Sequence, residues 1–266
     1  MAWDYLEQGG QIFVGIPHRG QVSTAWALNM LRALSPYLSR VKLFTISGHP
    51  IDVSRGVLVD HALNAGADYV YFLDSDVHTN PDTLQRLMSH NLPIVTALYY
   101  RRHDLPITDE MLKALPEKLN QSLEARKKVG MPTFTPAIWK DFAYRDAKGN
   151  NLRSFRPIFD GEFTPGQLIE ADAIPTGCVL IKTEVFRILP RPWFYWTLGR
   201  DPSMLKGDIS YGIQIKEGTY GCSEDLYFSL RARKEGYKLI CDTSILVRHE
   251  SQSLVSSEGR MDVVEG

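Results

Sequence analysis

An α/β fold, a mostly parallel sheet flanked by helices with an irregular insertion, is predicted by three features of the sequence. Apolar strand-like runs alternate with helical runs through the first hundred residues. The strand-like runs are short and nearly continuous in apolar residues, as strands covered on both faces are. Their spacing suits right-handed strand–helix–strand crossovers.

The first strand is QIFVGIP, residues 11–17, ended by Pro17. The helix at 23–38 takes Ser23 as its N-cap and Ala27, Met30, Leu31 and Leu34 as its apolar face. A second strand, VKLFTIS, covers 41–47, and a second helix runs over 53–66 with Gly66 as its left-handed stop. YVYFLDSD, 69–76, is the third strand. A third helix opens with Asn80 as N-cap and Pro81 at its first position, and LPIVTALYY, 92–100, is the fourth strand.

From 101 to about 170 the alternation stops among scattered prolines, glycines and aromatics, with one helix near 108–128. In a compact domain such a stretch is a lid, a substrate loop or a disordered segment. Regular structure returns with a strand at 178–182, a helix at 183–189, a helix at 223–235 capped by Ser223 and stopped by Gly236, and a strand at 239–242. The aromatics Trp193, Phe194, Tyr195 and Trp196 suit either stacking on sugar faces or the core, with core the expectation for at least two of them. The last dozen residues read as a loose tail.

Composition excludes several classes. The 266 residues are 44% hydrophobic and 23% charged, with a net charge of −1, so bulk electrostatics predict no nucleic-acid partner. Three cysteines without C-x-x-C spacing give neither a disulfide framework nor a structural zinc site, and Cys178 and Cys241 read as small buried residues. The start, MAWDYLEQGG, has no apolar leader, and no run approaches the ~20 apolar residues of a transmembrane segment. The expectation is a cytoplasmic protein.

The chemistry concentrates at Asp74-Ser75-Asp76. Carboxylates two apart at a strand end project the same way. Ligands of open α/β sheets bind beyond that end of the strands. Two close carboxylates repel without a counter-charge, and a divalent cation such as Mg²⁺ or Mn²⁺ relieves the repulsion with hard oxygen ligands. The competing reading is helix capping, but Asn80 is the better cap and leaves both carboxylates unexplained.

Four segments in order, VGIPHRG (14–20), SRGVLVDHALNAGADYVYFLDSD (54–76), DAIPTGCVLIKTEVF (172–186) and SEDLYFSLRARKEGYKL (223–239), resemble the nucleotide-sugar-dependent glycosyltransferases of the GT-A fold. The resemblance extends over most of the chain and is nearest to the large inverting family that includes cellulose synthase. It implies a single domain. A nucleotide-sugar-binding half would cover 11–100, a mobile insertion or lid 101–170, and an acceptor and catalytic half 171–250.

The resemblance also implies roles. Asp74, Asp76 and His249 would hold Mn²⁺ or Mg²⁺, with Ser75 between them in the donor site. Pro17, Arg19, Arg55, Thr176 and Gly177 would line the nucleotide-sugar site, with Arg55 touching the nucleotide base or the Asp74 side. Asp225 would be the general base and Glu224 would bind acceptor or orient that base. The donor would be a UDP- or GDP-sugar and the acceptor a hydroxyl of unknown identity. Where the family carries an acidic pair after its second strand, this chain has only Asp52. Bland readings stand beside these: Glu224 and Asp225 as acidic first-turn residues behind a Ser223 cap, Arg19 as a solvated cation, and Thr176-Gly177 as a turn. The alternatives for activity are a retaining GT-A enzyme, a nucleotidyltransferase and a non-catalytic sugar-nucleotide-binding protein.

Overall fold

The computed structural model describes residues 11–103, 113, 115–119, 121, 133–145, 151–196, 213–216, 219–221, 223–250, 254–255 and 261–262. A central sheet of seven strands organises them. Its strands are β1 (Ile12–His18), β2 (Val41–Ser47), β3 (Tyr69–Leu73), β5 (Ile94–Leu98), β10 (Leu168–Ala171), β11 (Cys178–Lys182) and β14 (Leu239–Leu246). Outside it lie β4 (Val77–His78), β6 (Tyr100–His103), β7 (Thr133–Pro136), β8 (Trp139–Arg145), β9 (Asn151–Pro157), β12 (Ile213–Lys216), β13 (Thr219–Gly221) and β15 (Arg248–Glu250). The helices are α1 (Thr24–Leu34), α2 (Ile51–Asn64), α3 (Thr83–Ser89), α4 (Thr183–Ile188) and α5 (Glu224–Lys234).

The sheet order is β10-β14-β5-β11-β3-β1-β2. β2, β1 and β3 are parallel, as are β14 and β5. β11 runs antiparallel between β3 and β5, and β10 antiparallel at the edge. The sheet is therefore mostly parallel with two reversed strands, the α/β class the sequence predicts. Period-two alternation sorts the faces. Ile12, Val14, Ile16, Tyr71 and Leu73 pack on one side with Trp26 and Leu34 of α1 and Leu84 and Leu87 of α3. Phe13, Val70 and Phe72 pack on the other with α2, α4 and α5. Among the described residues no helix is long and apolar enough to cross a membrane.

Several expectations are corrected. β2 is an edge strand with exposed Leu43 and Phe44, because it pairs only with β1 among the described strands. On α1 it is Trp26 that is buried, while Leu31 is exposed. α2 starts at Ile51 rather than 53. α3 starts at Thr83, after a turn in which Thr83 N donates to Asn80 O, so Asn80 is not its cap. Ser223 sits at the N-cap of α5, but its side chain makes no capping hydrogen bond. Ser23 does cap α1, accepting from Trp26 N at 3.0 Å, and Gly66 ends α2 at φ +68°. Trp193 and Phe194 are core residues, and so are Cys178 and Cys241.

The expected insertion is partly regular. β8 and β9 form an antiparallel hairpin, and β10 joins the main sheet. Arg156 meets Glu162 through two hydrogen bonds of 2.7 and 2.8 Å, with Arg156 only 5% exposed. A buried bidentate pair of this kind holds the 156–162 turn in one conformation. Most of the helix expected near 108–128, Cys222, and nearly all of the expected tail lie outside the described residues.

Candidate functional site

The reversal of β11 brings distant sequence together. Its first residue, Cys178, pairs with Leu73, the last of β3. Thr176 and Gly177 thus lie against Asp74, and Asp74 N donates to Gly177 O at 2.8 Å. A Cβ at Gly177 would come to 3.0 Å from both Asp74 Oδ2 and Tyr99 Oη, so a larger residue here would press on the Asp74 carboxylate and the Tyr99 hydroxyl.

Arg55, one turn into α2 and 1% exposed, is the centre of a buried charge cluster. Its Nη2 donates to Asp74 Oδ2 at 2.9 Å, its Nη1 donates to Thr176 O at 3.3 Å, and its Nε lies 3.6 Å from Glu224 Oε1. Burial opposes its charge, but Asp74, Glu224 and Asp225 outweigh burial and raise its pKa. The Asp74 carboxylate therefore has a protein counter-charge, which the sequence argument from repulsion lacks.

Glu224 and Asp225, 4% and 6% exposed, open α5 beside this arginine. Thr176 Oγ1 donates to Asp225 Oδ1 in a very short hydrogen bond. Burial first, and then the Asp225 charge, push the Glu224 carboxyl up to about 8 against the pull of Arg55. Two side-chain oxygens here, Asp74 Oδ1 and Glu224 Oε2, are buried with no hydrogen-bond partner among the described residues.

Asp76 has different surroundings. After β14 the chain turns into β15, which pairs antiparallel with β4 and sets His249 opposite Val77. His249 Nε2 comes 3.5 Å from Asp76 Oδ2, with side chains 27% and 48% exposed, and Tyr99 lies beside the imidazole with ring centroids 5.5 Å apart. A carboxylate and an imidazole facing solvent suit Mn²⁺ or Mg²⁺, which take substrate oxygens for their other positions. Among the described residues no three His, Cys, Asp or Glu side chains converge as a metal cluster. Asp76 and His249 approach each other, whereas Asp74 is turned to Arg55.

Pro17 and Arg19 lie at and just past the end of β1, on the same carboxyl edge of the sheet, and Ser75 is exposed to an intermediate degree in the turn after β3. Asp52 is buried in the first turn of α2 and accepts from Trp196 N at 2.9 Å. Sequence reasoning missed Trp26 and Glu250, which hold the turn bearing Asp76. Their contacts span 48 residues or more, and no local pattern announces them.

Residues 49–188 match the Anp1 family model. No curated protein matches the chain significantly. Among solved structures, A197 from STIV aligns over 96% of this chain and 95% of its own, at 14% identity and a TM-score of 0.51. A glycosyltransferase involved in the glycosylation of the major capsid of PBCV-1 aligns over 44% of this chain and 66% of its own, at 15% identity and a TM-score of 0.25. Glucosyl-3-phosphoglycerate synthase from Mycobacterium tuberculosis, in complex with Mn²⁺, UDP and glucosyl-3-phosphoglycerate, aligns over 70% and 61%, at 14% identity and a TM-score of 0.30. At such identities the likeness shows the fold alone, and it is the A197 alignment that supports it.

Proposed function

The chain belongs to the Anp1 family, and from that membership we propose that it is a metal-dependent glycosyltransferase, moving a sugar from a nucleotide-diphosphate donor to a hydroxyl acceptor with inversion. The observation that supports this most is the Arg55 cluster at the carboxyl edge of the sheet. One buried arginine faces Asp74 on the donor side and Glu224 on the acceptor side. The half-exposed Asp76–His249 pair adjoins the same turn.

In this reading Asp225 is the general base. Thr176 fixes Oδ1 of Asp225, which leaves Oδ2 to take the acceptor hydroxyl's proton. The acceptor oxygen then bonds to the anomeric carbon as the bond from that carbon to the diphosphate breaks, and the diphosphate leaves with the electron pair. Glu224, whose carboxyl burial pushes toward its protonated form, would offer a donor to a substrate oxygen beside the base. Asp76 and His249 would hold Mn²⁺ or Mg²⁺, and Asp74 keeps Oδ1 for the same donor complex. The cation supplies neutralisation of the leaving diphosphate. Pro17, Arg19, Arg55, Thr176 and Gly177 are assigned to the nucleotide-sugar side on position.

The test is Asp225→Asn, which keeps shape and removes the base. Release of nucleoside diphosphate from the donor should fall by roughly 10²–10⁴-fold while nucleotide binding stays at the wild-type level. Wild-type turnover would take the role from Asp225 and turn attention to Glu224 or to a retaining mechanism.

A further inference from the structure

The start of α1 holds the turn that presents Asp76. Val77 N closes that turn on Asp74 O at 3.0 Å, so Ser75 and Asp76 are its central residues. The indole of Trp26, 3% exposed, donates through Nε1 to both ends of the turn, Asp74 O at 3.0 Å and Val77 O at 3.0 Å. Asp76 O accepts from Glu250 N, one residue past His249. The Glu250 carboxylate accepts from Ser23 Oγ at 3.0 Å and faces His78 Nε2 at 3.1 Å. Ser23 in turn caps α1 by accepting from Trp26 N at 3.0 Å. The contacts close a ring from Trp26 to the turn, to Glu250, to Ser23 and back.

We propose that Trp26 and Glu250 are positioning residues that set the Asp76–His249 spacing for the cation, an inference that rests on the metal-dependent reading above. Asp76 and His249 lie on separate chain segments, joined at this point by the two-residue β4 and the three-residue β15. So short a ladder does not fix a ligand distance alone. The indole N–H fixes one segment at both ends of its turn, and Glu250 ties the other segment to the same helix. Packing alone would not need the N–H, since an apolar ring serves the core around Leu34 and Val77 equally well. Partners that orient metal ligands in this way typically contribute 10–100-fold to metal affinity.

The experiment is Mn²⁺ binding, read from the spin-resonance signal of free Mn²⁺, with and without UDP, alongside a melting curve. The proteins are the wild type, Trp26→Phe, Glu250→Ala, Glu250→Gln and Asp76→Ala. Trp26→Phe and Glu250→Ala should weaken Mn²⁺ by roughly tenfold or more. Glu250→Gln, whose amide oxygen still accepts from Ser23, should stay within a few-fold of wild type. UDP binding without metal should be unchanged in every variant. Wild-type Mn²⁺ affinity in both Trp26→Phe and Glu250→Ala, with binding lost in Asp76→Ala, overturns the positioning role alone. A wild-type protein that takes up no Mn²⁺ overturns this inference and the metal reading together. Should Trp26→Phe lose its cooperative transition, Glu250→Ala decides by itself, because its partly exposed side chain adds little to the core.

Discussion

Asp74 and Asp76 stand one residue apart and meet opposite surroundings. Asp74 is held by a buried arginine on its side chain, by the Gly177 carbonyl that accepts from its backbone N–H, and by the close approach of Gly177. Asp76 reaches into a half-exposed space, with the His249 imidazole 3.5 Å away. The first carboxylate has its counter-charge built into the protein, while the second lies at the solvent-facing side of the turn. The same residue type in the same motif therefore meets two environments that differ in burial. Removing a partner from the first region should damage the fold, and removing the second should damage binding.

The comparison breaks most visibly at Arg55. Arg55→Met leaves Asp74 without its cation beside the buried Glu224. We expect a loss of about 3–5 kcal/mol, the usual cost of stranding a buried charge, measured by denaturant unfolding. A change under about 1 kcal/mol would mean that the cluster is wetter than its exposure indicates.

A middle-sized effect concerns pH. The Glu224 carboxyl is raised from an ordinary carboxylate value to about 8, so the folded protein holds a proton there that the unfolded chain releases above about pH 4.5. Stability from this group is complete below pH 4.5 and is lost as pH rises toward 8. Glu224→Gln, which mimics the protonated form, should remove that part of the decline. Melting temperatures of the two proteins between pH 5 and 8.5 check it, and parallel curves would contradict the assignment.

The smallest effect is expected at Asp76. Its substitution by Ala should change stability within about 0.5 kcal/mol, as for surface positions without a packing role. A melting curve in metal-free buffer measures it. A loss comparable to that at Arg55 would erase the distinction between the two carboxylates.

The parts of the molecule legible in sequence are those with short-range causes. β1, β2, β11 and the Ser23 cap follow from apolar runs and local hydrogen bonding. Gly66 and Gly236 stop helices at positive φ because their backbones must turn left-handed. The reversed direction of β11 has no local signature, because it shows only in the pairing with β3 and β5, which lie far away in sequence. The pairing of Arg55 with Asp74 crosses 19 residues, and that of Thr176 with Asp225 crosses 49, so sequence offers the residue types but not their partners. The Asn80 cap fails because Asn80 O, rather than its side chain, closes the turn before α3. The buried Arg156–Glu162 pair lies inside a stretch whose prolines and glycines hide its order.

The most direct test of the central claim is nucleoside diphosphate release from a panel of UDP- and GDP-sugars, with Mn²⁺ and with a chelator. The account predicts release from at least one sugar with Mn²⁺, its loss on chelation, and raised melting temperature with that donor and metal together. Release that ignores the metal, or no release and no stabilisation with any donor, would contradict it.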